Sequence, residues 1–176
     1  LVAPMNAVGH VNACSGATST LLSRGHRVIF VVEKSFEGKL AALGFEEFIY
    51  DTKNAEEAKG NAGDQFAADL LQSKVLGPDS PWDKLVSVVQ YLDGARLRDV
   101  AEMEAGFKKA LDQFKPDVIV YDGNACLPTI HWGTIPWVRV ISNAPQYYMM
   151  DDTVPPGSSG KSLCTDKIIG KLVSCF

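Results

Sequence analysis

A chain of 176 residues has the length of about one ordinary domain and can bury a sizeable core, and its 46% hydrophobic and 22% charged residues exclude a disordered or membrane-embedded polypeptide. A net charge of -4 without any basic stripe excludes a general nucleic-acid binder. Cys14, Cys126, Cys164 and Cys175 lie far apart, with no C-x-x-C pair and no His/Cys spacing of a zinc site, so free buried thiols in a reducing compartment are expected and no metal site is.

The chain opens on an apolar strand (Leu1, Val2, Ala3), followed by a loop over residues 4–10 and a helix running to Arg24. Ala17, Leu21 and Leu22 set the apolar face of that helix, Asn12 or Ser15 is available to cap it, and Gly25 stops it. Strand, glycine-containing loop and helix make the first half of a βαβ unit, whose loop lies at the carboxyl end of a parallel strand, where open α/β sheets bind ligands. His10 falls there, at or just before the helix N-terminus. The positive end of a helix dipole disfavours a second positive charge, and a neutral imidazole is a usable general base near pH 7. The alternative for His10 is a plain hydrogen bond to a loop carbonyl; its position in the crevice favours the functional reading.

The continuous β-branched run 27–32 predicts a strand buried on both faces, ended by Glu33. A helix is expected over 35–43, closed by Gly44, and a more polar strand near an edge over 45–50. From Asp51 to Asp93 the pattern loosens into an insertion over the sheet edge, with helical periodicity over 55–75 and 82–92. Trp82 and its apolar neighbours there are expected to pack on the sheet, or to form a wall of an apolar pocket.

Residues 97–114 form the best helix of the chain: Val100, Met103, Phe107, Ala110, Leu111 and Phe114 share one face, and Glu104 and Lys108 are placed to pair on another. Pro116 stops it, and the buried strand 118–121 ends in Asp122-Gly123-Asn124. A short helix over 126–132 closes at Gly133, the strand 136–141 follows, and Ser142 to Pro145 form a further carboxyl-end loop. A surface turn at 155–160 and a weakly amphipathic helix near 166–173 end the reading, and no run reaches the ~18 apolar residues of a membrane span. The expected fold is α/β, a Rossmann-like parallel sheet flanked by helices. Its strand order is third, second, first, then the strand of Val118, then that of Val138.

His10 and Asp122 thus meet one crevice from two strand ends. A carboxylate that accepts the imidazole's other N–H fixes its tautomer and stabilises the imidazolium. No nucleophile fits: G-x-S-x-G is missing, and Cys126 reads as a buried helix cysteine, so the base would activate a hydroxyl of the substrate. Neither G-x-x-x-x-G-K-[ST] nor G-x-G-x-x-G occurs. Glu33 nevertheless stands where dinucleotide-binding folds hold a ribose, which keeps an NAD(P)-binding dehydrogenase domain as one alternative. A non-catalytic module that binds a hydrophobic ligand is another. His26 and His131 read as structural, and Asp151-Asp152 as solvated surface.

Ala3-Pro4 through Gly9-His10-Val11-Asn12, Leu22-x-Arg24-Gly25-His26-Arg27-Val28-x-Phe30-Val31, Pro116 through Asp122, and Ile135-Pro136 together resemble the amino-terminal, acceptor-binding domain of UDP-dependent glycosyltransferases. The resemblance implies one half of a two-domain GT-B architecture over residues 1–176, with the donor-binding domain absent from this stretch. It implies sugar transfer from a UDP-sugar to a hydroxyl, with inversion, His10 as base and Asp122 as its partner. It implies no catalytic metal and no cofactor beyond the co-substrate, mainly held by the missing domain, so this stretch alone is expected to be inactive. The family motif carries proline where Ala13 stands, a difference at a helix start rather than at the base. Met5, Asn6, Val8, Gly9, Asn124, Asn143, Gln146 and Trp82 are expected to line an apolar pocket for a small lipophilic acceptor. The Gly-His loop and the 155–160 turn look more like soluble members than membrane-anchored ones. A cytoplasmic, detoxifying hexosyltransferase is expected, with an endoplasmic reticulum membrane location still open because both ends read as cut.

Overall fold

The computed structural model describes residues 1–51, 68, 71–72, 78, 80–123 and 126–142. The elements below lie in the compact unit Leu1–Val140; of the second unit, Ile141–Phe176, only residues 141 and 142 are described. The 155–160 turn, the helix near 166–173, Asp151-Asp152, Cys164 and Cys175 fall outside the described residues. So does the stretch read as helical over 55–75, apart from Ala68, Leu71 and Gln72, which are helical.

Five parallel strands, β1 (Val2–Pro4), β2 (Ile29–Glu33), β3 (Glu46–Tyr50), β4 (Ile119–Asp122) and β5 (Trp137–Arg139), form one sheet in the order β3-β2-β1-β4-β5. This is the fold class and the strand order that alternating buried runs and helices predict, with the polar β3 at an edge. Side-chain alternation divides the core. Val2, Phe30, Val32 and Val120 face one layer with Val11 and Cys14 of α1 (Val8–Ser23), while Ala3, Val31, Ile119 and Tyr121 face the other with Phe107 and Ala110 of α2 (Pro81–Phe114). A short α3 (Pro128–His131) adds Ile130 to that second layer.

Helix α1 starts earlier than its side chains suggest. Its N-cap is Ala7, with no side-chain cap, and the hydroxyls of Ser15, Thr18, Ser19 and Ser23 bond back to carbonyls of their own helix instead. The inward face is Val11, Cys14 and Thr18, backed by Leu21 and Leu22, whereas Ala17 is exposed. At the other end the amides of Gly25 and His26 bond the carbonyls of Leu22 and Leu21, with Gly25 at φ 83, the left-handed closure that the Arg24-Gly25 pair anticipates.

Residues 35–43 are not a helix. Phe36 and Leu40 are buried as a helical face would be, but Gly38 turns to φ 79, and the Glu47 carboxylate of β3 takes the amides of Gly38, Leu40 and Ala41. Those contacts split the stretch into two 3-10 turns, Lys34–Phe36 and Ala41–Leu43. The reverse happens after Ser80, where the two expected helices form one of 34 residues. Pro81 is its first residue, and Ser80 caps it by accepting from the Asp83 amide. The predicted face holds, with Phe107 and Ala110 fully buried and Val100, Met103, Leu111 and Phe114 packed beside them. Glu104 accepts from the Thr129 amide and hydroxyl at the start of α3 rather than meeting Lys108. Among the described residues no helix is long and apolar enough to cross a membrane.

Gly106 lets α2 lie against the end of β3: a Cβ there would stand 2.7 Å from Cβ of Tyr50, the root of a buried side chain that cannot swing aside. Gly106→Ala is therefore expected to destabilise the fold by about 1–3 kcal/mol, the usual range for overpacking. Equilibrium denaturation checks this, and an unchanged midpoint would refute so close a helix-sheet approach.

Candidate active site

The carboxyl ends of β1 and β4 are adjacent, with Pro4 opposite Asp122 and the Met5 amide bonded to the Asp122 carbonyl. Because Asp122 shares the parity of Val120, its side chain points toward α1 rather than toward α2. His10 is the third residue of α1 and stands in its first turn. Its Nδ1 lies 3.0 Å from Oδ2 of Asp122, with 13% of the His10 side chain and 4% of the Asp122 side chain exposed. Against an ionised carboxylate, which can only accept, a neutral ring donates from Nδ1 and keeps its lone pair on Nε2. The first turn of α1 holds no acidic residue, and Asp122 brings a negative charge to that positive helix end from another strand.

Cys14, one turn beyond His10 on the same face, is fully buried and donates its thiol to the same Oδ2, at 3.9 Å. Burial foremost, then the Asp122 charge and the hydrogen bond to it, push its pKa from 9.0 up to about 12. Sequence reasoning missed this residue. The signal was the i,i+4 spacing from His10, which places both side chains over one strand end.

The other residues of the expected site divide. Met5 and Asn6 are half-buried in the loop after β1, while Val8 and Gly9 are exposed at the helix start, and a Cβ on Gly9 would meet nothing within 4 Å. The Asn6 amide donates to the Glu33 carboxylate at the end of β2, which also accepts from the Ser35 hydroxyl at 3.1 Å. Among the described residues Oδ1 of Asn6 is buried with no hydrogen-bond partner, an acceptor that a ligand hydroxyl would satisfy. Asn124, Asn143 and Gln146 lie outside the described residues. Trp82 is 62% exposed near the start of α2 and so does not pack on the sheet; it stands about 36 Å of helix axis, at 1.5 Å per residue, before the contact of Gly106 with β3.

Cys126 is exposed and precedes α3, in place of the buried helix position expected for it. His131 is structural: its ring bonds the Leu127 carbonyl at 2.9 Å, sits 3.2 Å from Arg139 and packs edge-on to Tyr121. His26 is exposed. Among the described residues no group of three or more His, Cys, Asp or Glu side chains is placed to hold a metal ion.

No protein-family model matches the chain, and no curated protein matches it. Among solved structures, the crystal structure of CalG4, the calicheamicin glycosyltransferase, is similar at 21% identity and a TM-score of 0.45, over 78% of this chain and 31% of that one. This chain therefore spans less than a third of that protein's length, and a likeness of this degree transfers neither substrate nor chemistry.

The thiols supply a direct check. Cys126 is expected to react with an alkylating reagent in the native protein and Cys14 only after unfolding, as read by peptide mapping. Since the folded state keeps the Cys14 proton up to about pH 12 while the unfolded chain releases it near 9.0, the contribution is intact below pH 9 and lost as pH climbs toward 12. Cys14→Ser, which has no titrating group there, is expected to show a flatter loss of stability over that window in denaturant melts.

Proposed function

We propose that this chain is the acceptor-binding half of a glycosyltransferase that moves a sugar from a UDP-sugar to a hydroxyl of a small lipophilic acceptor, with inversion. The observation that carries the reading is the 3.0 Å contact between His10 and a buried Asp122 at adjacent carboxyl ends of a parallel sheet. In this reading Nε2 of His10 takes the proton of the acceptor hydroxyl as its oxygen forms a bond to the anomeric carbon. The bond from that carbon to the diphosphate oxygen breaks, and UDP leaves from the opposite face, which inverts the centre. Asp122 keeps the ring in the required tautomer and stabilises the imidazolium until the proton returns to solvent. Met5, Asn6, Val8 and Gly9 would border the acceptor, with Oδ1 of Asn6 taking a hydrogen bond from one of its hydroxyls. Asn124, Asn143 and Gln146 belong to the same proposal, and the donor-binding half lies outside these residues.

The dehydrogenase alternative leans on Glu33 as a ribose ligand, but one oxygen of that carboxylate already accepts from Asn6 and Ser35. Titration of the chain with NAD(P) separates the two: binding supports the dehydrogenase, and none is expected of an acceptor half.

In the full-length protein, His10→Ala is expected to lower turnover by ~10²–10⁴, the range for loss of a general base, with nucleotide-sugar affinity nearly unchanged. Asp122→Asn should lower turnover as well while leaving acceptor binding largely intact. Near-normal turnover of His10→Ala would sink the assignment, provided that the acceptor hydroxyl stays protonated at the assay pH. An already ionised phenol needs no base and would hide the loss.

A further inference from the structure

We infer that Cys14 is a positioning residue for the His10–Asp122 pair: its thiol donates to Oδ2 of Asp122 and holds that oxygen against Nδ1 of His10. The kinetic consequence rests on the transferase reading; the hydrogen bond does not.

Three features carry it. Cys14 and His10 are four residues apart on one helix, so their side chains stack over the same point of β4. Both address the same oxygen, His10 at 3.0 Å and the larger sulfur at 3.9 Å. Cys14 is also completely buried against Val2, Phe30 and Val120, where an aliphatic side chain would be the ordinary filler. A methyl group in that place would press an apolar surface on an ionised oxygen, whereas a thiol of similar size fills the volume and still offers a proton.

The thiol is a weak donor, and that weakness suits the role. Its proton stays on sulfur throughout the neutral range, so it never competes with His10 to accept, and it never becomes a second anion beside Asp122. With His10 neutral, Oδ2 is shared between the ring N–H and the thiol. Removing the thiol leaves Oδ2 without its second donor, so the carboxylate is held less firmly against Nδ1 and the ring is less well aligned on an acceptor hydroxyl. The titratable groups meeting here among the described residues are His10 and Cys14 of α1 and Asp122 of β4; from β2, the Glu33 carboxylate reaches the neighbouring loop through Asn6.

The bond is read by infrared spectroscopy in the S–H stretching region, taking the wild-type spectrum minus that of Cys14→Ser to isolate Cys14. A band at lower wavenumber than that of an unbonded thiol, moving upward in Asp122→Asn, is the expected result; a band indifferent to Asp122→Asn overturns the proposal. The role is read by steady-state kinetics of the full-length protein. Cys14→Ala is expected to lower kcat about five-fold, the worth of one hydrogen bond of about 1 kcal/mol. KM for the UDP-sugar is expected to stay the same. Serine is smaller than cysteine but keeps a donor, so Cys14→Ser should return kcat toward that of the wild type. An equal loss of kcat in Ala and Ser, or in neither, overturns the positioning role. If Cys14→Ala does not fold, the infrared comparison decides. Failure of the transferase reading, as by a His10→Ala enzyme of unchanged turnover, leaves the S–H band in place, so the two failures are distinct.

Discussion

Parallel pairing of β1 with β4, in the register that sets Pro4 opposite Asp122, brings together two side chains 112 residues apart in the chain. The register is fixed by what lies on each face. Val2 and Val120 meet the α1 layer, while Ala3, Ile119 and Tyr121 meet the layer of α2 and α3. A slip of one residue would turn Tyr121 toward α1 and Asp122 into the apolar layer opposite, burying a carboxylate without His10 or Cys14 and misplacing a large aromatic ring. Packing on both faces therefore defines the geometry of the His10–Asp122 pair.

Much of this was legible from residue patterns. Strands β2 and β4 announce themselves as unbroken β-branched and aromatic runs, which only a sheet covered on both faces accommodates. Helical segments between strands then require crossovers between parallel strands, and the strand order is the one such alternation suggests for a Rossmann-like sheet. His10 and Asp122 could be placed because loops at strand ends are short and parity along β4 is strict. What escaped were features decided by a distant partner. Residues 35–43 carry helical spacing, and nothing local reveals that Glu47 will reach across from the next strand to cap three amides. Likewise the gap between the helical stretches 82–92 and 97–114 holds Gly94, yet an interior glycine costs a helix only about 1 kcal/mol. Ser80 and Pro81 secure the start of α2 and its apolar face anchors the far end, so the helix runs through.

The same distinction explains Trp82 and Cys126. Apolar character suggests that Trp82 packs on the sheet or walls a pocket, but in a 34-residue helix about 50 Å long it stands far along the axis from the Gly106 contact and is exposed, so it does not pack on the sheet. Composition reports what a residue prefers, and element length decides where it stands. Cys126 reads as the first residue of a helix over 126–132, whereas Pro128, suited to a first helical position, starts that helix later and leaves the thiol outside.

Among the described residues, Thr18 and Asp122 are the polar side chains classed as buried, and they are satisfied in different ways. Thr18 bonds the Cys14 carbonyl of its own helix at 2.7 Å, a local solution available wherever a helix buries a hydroxyl. Asp122 has no such local recourse, since a strand-end carboxylate cannot bond its own backbone ladder, and its donors come from α1. If stability alone governed the position, an aliphatic residue of similar volume would pack there without any desolvation of charge. An ionisable group at the carboxyl end of a central strand, with a first-turn histidine against it, suits the proton transfer proposed above, which a purely structural core has no need of. For that reason the pair is read as chemistry and Thr18 as packing, although the two residues are equally buried.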